Sequence, residues 1–240
     1  LIRSMRNRFP EMQFSCTIGF GADAWKQLFP EQGNPKELKT FETIKGAKYI
    51  AVSTPGDILL HIRAKQMGLC FEFASIIDEK LKGVVDSIDE THGFRYMDGK
   101  AIIGFVDGTE NPAVDENPYH FAVIGDEDPD FIGGSYVFVQ KYIHDMTTWN
   151  SLPVEAQEKV IGRHKYNDVE LSDEEKPQNA HNAVTNIGDD LKIVRANMPF
   201  ANTSKGEYGT YFIGYASTFS TTHKMLENMF IGDPVGNTCL

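Results

Sequence analysis

Strand-like and helix-like segments follow one another twice along this chain, and that repeated order, more than any single residue, limits the folds open to it. Met12 to Phe20 alternates and is rich in β-formers, Asp23 to Phe29 has the look of a short helix, and Gly33 to Gly46 reads as a loop around Pro35 with small helical patches. Asp57 to Arg63 is then expected as a strand, Ala64 to Lys82 as a helix with apolar residues at helical spacing, and Val84 to Phe94 as extended chain again. That is one β-α-β half.

The second half begins after Asp98-Gly99, a pair suited to a hairpin turn, with Ala101 to Val106 expected as the strand that follows. His120 to Gly125 and Gly134 to Tyr142 read as paired strands joined by the acidic turn Asp126 to Phe131. Pro153 suits the first turn of a helix ending near Ile161, where Gly162 can close it in a left-handed conformation. Asn167 to Asn179 is acidic and poor in apolar residues, hence a solvated loop. Leu191 to Arg195 and Thr210 to Ala216 are expected as strands, and Ser220 to Phe230 as a helix with Met225, Leu226, Met229 and Phe230 on one side. Two such units back to back predict an α+β fold: two ferredoxin-like halves, 1–106 and 107–240, whose antiparallel sheets form the core with helices outside. No inserted third domain is expected.

Between the halves lies Gly104-Phe-Val-Asp-Gly-Thr-Glu-Asn-Pro112. Gly108 tolerates positive φ, Asn111-Pro112 disfavours helix, and Asp107 is left where a ligand can approach the backbone. On shape alone this is either a structural turn or a functional carboxylate.

Composition narrows the partners. The balance of 34 acidic against 23 basic residues, a net charge of −11, argues against a nucleic-acid surface, which needs clustered Lys and Arg. No apolar run approaches the roughly 20 residues of a membrane span, and the first eight residues lack a signal-peptide core, so a soluble, cytoplasmic protein is expected. Cys16, Cys70 and Cys239 are widely separated, form no metal or redox pair, and are expected to be buried or incidental. Without Cys-x-x-Cys-His, any haem would be held non-covalently. Among seven histidines His181 is set apart only by following the acidic loop, and Arg195 reads as a strand-end cation suited to a surface ion pair.

The loop Gly104-Phe105-Val106-Asp107-Gly108 resembles the signature of the dye-decolourising peroxidases. Further segments match in the same order: Gly133-Gly-Ser-Tyr-Val-Phe-Val-Gln140, Ile161-Gly162-Arg163, His181, and Arg195-Ala-Asn197-Met-Pro199. The resemblance runs from about Phe14 to about Gly236 and looks most like the bacterial intracellular branch. It implies a haem b peroxidase of dimeric α/β-barrel type that reduces hydrogen peroxide and oxidises organic donors such as dyes and phenols one electron at a time. His181 would be the axial iron ligand, Arg163 would bind a haem propionate, and Asp107 and Arg195 would move the peroxide proton and stabilise developing charge. Asn197 would orient peroxide or its bound water.

The resemblance also implies a homo-oligomer and leaves an encapsulating shell partner open. Relative to the family, a strand and helix are expected to be missing before Leu1 and a strand after Leu240. That last strand would carry the carboxylate partner of the axial histidine, for which Asp233 is a substitute by residue type alone. Tyr136 to Val139, Phe212 and Ile213 either line the haem or are sheet core. Trp25, Trp149 and the tyrosines are candidates to relay oxidising equivalents outward. Two competing readings are a haem-handling protein with incidental peroxidase activity, and a cofactor-free interaction module.

Overall fold

The computed structural model describes residues 1–236, so Cys239 lies outside the described residues. Two compact units are present, and Pro35–Ser53 packs with the second of them. The helices are α1 (Ile2–Arg8), α2 (Ala22–Leu28), α3 (Met67–Leu81), α4 (Pro118–Ala122), α5 (Met146–Ser151), α6 (Val154–Ile161), α7 (His181–Thr185) and α8 (Phe219–Ile231). The strands are β1 (Ser15–Phe20), β2 (Ile44–Lys45), β3 (Ile50–Ala51), β4 (Ile58–Arg63), β5 (Tyr136–Ile143), β6 (Val194–Arg195), β7 (Met198–Asn202) and β8 (Glu207–Ala216).

The first unit comprises Leu1–Asn34 and Thr54–Glu90. Its antiparallel ribbon pairs β1 with β4 from Ser15↔Arg63 to Phe20↔Ile58. α3 forms because Leu69, Phe73, Ile76 and Ile77 recur at helical spacing, and their shared face buries against Met5, Phe14 and Ile62. Phe14 and Phe73 meet at 4.9 Å between ring centroids, a separation at which aromatic pairs attract beyond simple burial.

In the second unit β8 is the organising strand. Along one edge it pairs with β5 from Tyr136↔Ala216 to Ile143↔Gly209. Along the other it pairs first with β6 and then with β7, all antiparallel. α8 presses Leu226, Met229 and Phe230 onto Phe138, Val184, Ile44 and Ala51. A smaller cluster of Phe105, Trp149 and Val160 lies beneath the Gly104 loop.

Most predicted elements recur: β1, α2, β4, α3, α6 with Gly162 at φ +93°, β8 and α8. Three predicted strands do not. Val84 to Phe94 has a Lys82↔Val85 bridge and a Phe94 N–H to Pro199 O hydrogen bond at 3.0 Å but is not a strand, and Val84 and Ile88 are 80% and 66% exposed, so β-branched composition alone did not make one. Ala101 to Val106 is a turn, closed by Gly104 N–H on Ala101 O at 2.9 Å, with one bridge at Lys100↔Val106. His120 to Ala122 belong to α4, because Asn117 in a left-handed conformation and Pro118 at the first turn start a helix there, and beyond it Ile124 N–H donates to Gly134 O at 2.9 Å without forming a strand. The predicted strand 191–195 shrinks to Val194–Arg195, and β7 carries the pairing onward. The architecture is α+β, antiparallel sheets with helices.

Candidate functional site

The predicted site residues all belong to the second unit. Asp107 stands at the outer side of a loop whose inner side is apolar. Phe105 is 3% exposed and packs at 6.0 Å on Trp149, whose indole N–H donates to Ile103 O at 2.9 Å. Gly104 and Gly108 take φ +94° and +83°, conformations that glycine adopts without strain. Asp107 N–H donates to Gly99 O at 3.0 Å, which ties the loop to the Asp98-Gly99 turn.

The carboxylate meets the β6–β7 segment. Asn197 Nδ2 donates to Asp107 Oδ1 at 3.1 Å, while Asn197 Oδ1 accepts Ile213 N–H of β8 at 3.2 Å. Asn197 thus bridges the sheet and the loop with one amide. Arg195, two residues earlier, is half-buried. Burial pulls its proton affinity down and the Asp107 and Glu110 carboxylates pull it up, and a guanidinium stays protonated through such changes. The Arg195 main chain is held from the loop side as well, by Asn111 Oδ1 on its N–H at 2.8 Å and Asn111 Nδ2 on its carbonyl at 2.9 Å.

His181 opens α7 directly after Ala180, which is fully buried. Its Nδ1 is buried and has no hydrogen-bond partner among the described residues, so Asp233 does not take that role. Burial, and secondarily the Arg195 charge, bring its pKa down to about 4. A neutral imidazole with an available lone pair is the form that binds a metal.

The next residue fixes the placement of α7. Asn182 Nδ2 donates to Gly162 O at 3.2 Å and Glu170 Oε1 at 2.9 Å. A Cβ on Gly162 would lie 1.8 Å from Asn182 Oδ1. The glycine that ends α6 is therefore also the surface on which the histidine helix rests.

Arg163 is enclosed by ion pairs. Its guanidinium donates to Glu110 Oε1 at 2.7 Å, to Asp168 Oδ1 at 3.1 Å and to Asp168 O at 2.6 Å, and Thr109 Oγ1 donates to Asp168 Oδ2 at 2.6 Å. These contacts fasten the acidic loop to the signature loop. Phe138 and Ile213 are core residues, at 9% and 2% exposure. Trp149 is likewise enclosed, whereas Cys16 and Cys70 are partly exposed free thiols rather than buried ones.

The structure brings Asp107, Asn197 and Arg195 together and leaves His181 on a separate element within reach of the Arg195 charge. Asn111, Glu110, Asp168 and Asn182 were not predicted as site residues. Asn111 showed only its turn chemistry, and the rest offered no sequence signal, because their roles arise from contacts between distant segments.

Comparison with known proteins gives one consistent result. The family described as Dyp-type peroxidase, N-terminal, matches residues 2–95, and Dyp-type peroxidase, C-terminal, matches residues 98–238. A dye-decolorizing peroxidase of Rhodococcus erythropolis is 52% identical over 99% of this chain and 70% of its own length. Among solved structures, a dye-decolorizing peroxidase of Bacteroides thetaiotaomicron is 86% identical with a TM-score of 0.96, covering 99% of this chain and 77% of its own. A DypB variant of Rhodococcus jostii RHA1 in complex with heme is 46% identical with a TM-score of 0.93, at the same coverages.

Proposed function

The chain belongs to the Dyp-type peroxidase family, and from that premise we propose how its own residues carry a haem-dependent peroxidase reaction. Hydrogen peroxide and an organic electron donor are its substrates. The cofactor is non-covalent haem b, which supplies the redox chemistry that cleaves the peroxide O–O bond and accepts single electrons from donors.

The chain fits that group. His181 offers a neutral imidazole whose buried Nδ1 has no hydrogen-bond partner among the described residues, and it would hold the haem iron. Asp107 is the proposed proton carrier: Asn197 occupies its Oδ1, so Oδ2 is the oxygen that takes a proton from bound peroxide and returns it to the departing oxygen. Arg195 stabilises the negative charge that develops as the bond breaks, and its half-buried position strengthens that effect over one in open water. Asn197 orients both Asp107 and peroxide. Arg163 would hold a haem propionate through charge-assisted hydrogen bonds, on the side where its guanidinium meets the 51% exposed Glu110 side chain.

The observation that carries this reading is the meeting of Asp107, Asn197 and Arg195 from two segments some 90 residues apart, with a ligand-ready histidine on a third. The two ferredoxin-like halves are proposed to divide near residue 106. No described helix is long and apolar enough to cross a membrane. A homo-oligomer in the cytoplasm is proposed on family grounds.

The test is a pair of variants. Arg195→Ala should keep its haem and lose peroxidase turnover by roughly 100-fold or more, the scale of removing one charge-stabilising group. His181→Ala should lose haem or change its absorption spectrum. Parent-like rates in both would overturn the assignment, and a parent protein that binds haem but stalls with peroxide and donor would point to haem handling instead.

A further inference from the structure

We propose that Asn111 is a positioning residue for Arg195, holding the cation at a set distance from Asp107 by acting as a one-residue strand. The proposal rests on the catalytic roles given above to Arg195 and Asp107. β6 pairs with β8 at Val194↔Tyr215 and Arg195↔Gly214, and Ala196 N–H donates to Ile213 O at 3.0 Å. In an antiparallel ladder successive residues turn their main-chain groups to opposite sides. Those of Arg195 therefore face away from β8, toward the signature loop.

Among the described residues no strand pairs with β6 on that side. Asn111 instead presents an acceptor and a donor in the spacing of a peptide group, at 2.8 Å and 2.9 Å, and completes a two-hydrogen-bond ring with the Arg195 main chain. An unmet pair of part-buried main-chain groups would be costly, so the arrangement is preferred over its loss. Asn111 is itself fixed by its N–H on Gly108 O at 3.0 Å, with Gly108 at φ +83°.

Two amides thus cross-link the same two segments in opposite senses. Asn111 reaches from the loop to the main chain of Arg195, and Asn197 reaches from the strand to the side chain of Asp107. Pinning both segments removes the sliding freedom that would vary the distance between acid and cation. Asn is the one residue type of this size offering both partners. Aspartate can accept from Arg195 N–H but sets a carboxylate oxygen against the Arg195 carbonyl, and alanine leaves both groups open.

The experiment compares the haem-loaded parent with Asn111→Ala, Asn111→Asp and Arg195→Ala, and with the double variants, by stopped-flow reaction with hydrogen peroxide. Each single Asn111 change should slow the reaction by roughly 10- to 100-fold at unchanged haem content, as expected when a catalytic group moves by about 1 Å. In the Arg195→Ala background the same change should cost less than about twofold, since residues acting as a unit are non-additive. Amide exchange in the haem-free chain supplies a second readout: Arg195 N–H should exchange faster in Asn111→Ala and stay protected in Asn111→Asp.

If Asn111→Ala does not fold, Asn111→Asp, which keeps the shape, decides. Rates within about twofold of the parent, or an equal penalty with and without Arg195, would overturn the positioning role. A parent-like rate in Arg195→Ala would instead refute the role of Arg195 itself.

Discussion

Single residues here are tuned mainly by burial. His181 and His61 are both brought down to about 4, by desolvation first, and then by the Arg195 charge for His181 and the Arg63 charge for His61. A histidine buried in its neutral form binds fewer protons folded than unfolded between about pH 4 and its ordinary value near 6.5. The folded state is therefore favoured above that window and loses the contribution as pH falls through it. At about 1.4 kcal/mol per pKa unit the His181 contribution has an upper bound of roughly 3–4 kcal/mol. Glu158 has a lowered pKa through hydrogen bonds, the largest from Lys165 N–H, and such a carboxylate loses its contribution only below its ordinary value near 4.5. Urea unfolding of the haem-free chain should show stability rising from pH 4 to 6.5 and levelling above it, with a shallower rise in His181→Gln. A flat profile across that window would mean that the imidazole is solvated and readily protonated.

At the scale of elements, the sequence was clearest where a local rule and the tertiary fold agreed. α6 begins after Pro153 and closes at Gly162 with φ +93°, as the residue types suggest, and β8 and α8 follow their own periodicities. It misled where a short apolar run served either period. His120 to Ala122 became the end of α4, and β7 was hidden because Pro199 made Met198–Asn202 look like the tail of a motif rather than a strand. Gly162 shows how much lies beyond the local rule. Its type announced a helix end, but not that a Cβ there would strike Asn182 Oδ1 at 1.8 Å and so displace the helix carrying His181. Gly162→Ala should therefore combine left-handed strain with overpacking, costing roughly 2–4 kcal/mol in unfolding free energy. It should also weaken hemin binding at temperatures where the variant is still folded, which titration followed by absorbance would detect. An unchanged hemin affinity would mean that the α6 end does not control the placement of His181.

For the molecule as a whole, the α+β class and the order of the candidate residues were legible, because turn chemistry and ordered motifs leave local traces. The joining of Asn111 to Arg195, and of Arg163 to Glu110 and Asp168, left none, since each depends on where two distant segments meet. Net charge is the other property that belongs to no one element, and at −11 it is readable directly. Donors such as dyes must reach the protein by diffusion, and a field of this sign draws cations and repels anions until salt screens it, with a Debye length of about 8 Å at physiological ionic strength. For a cationic dye kcat/KM should fall several-fold as ionic strength rises from about 10 to 150 mM, and for an anionic dye of similar size it should rise. Hydrogen peroxide is neutral, so its own reaction rate should change little over the same range and serves as the internal control. If both dyes respond alike, the donor meets the protein where the local field differs from the net charge, and the cations responsible would have to be sought beside the point of electron entry.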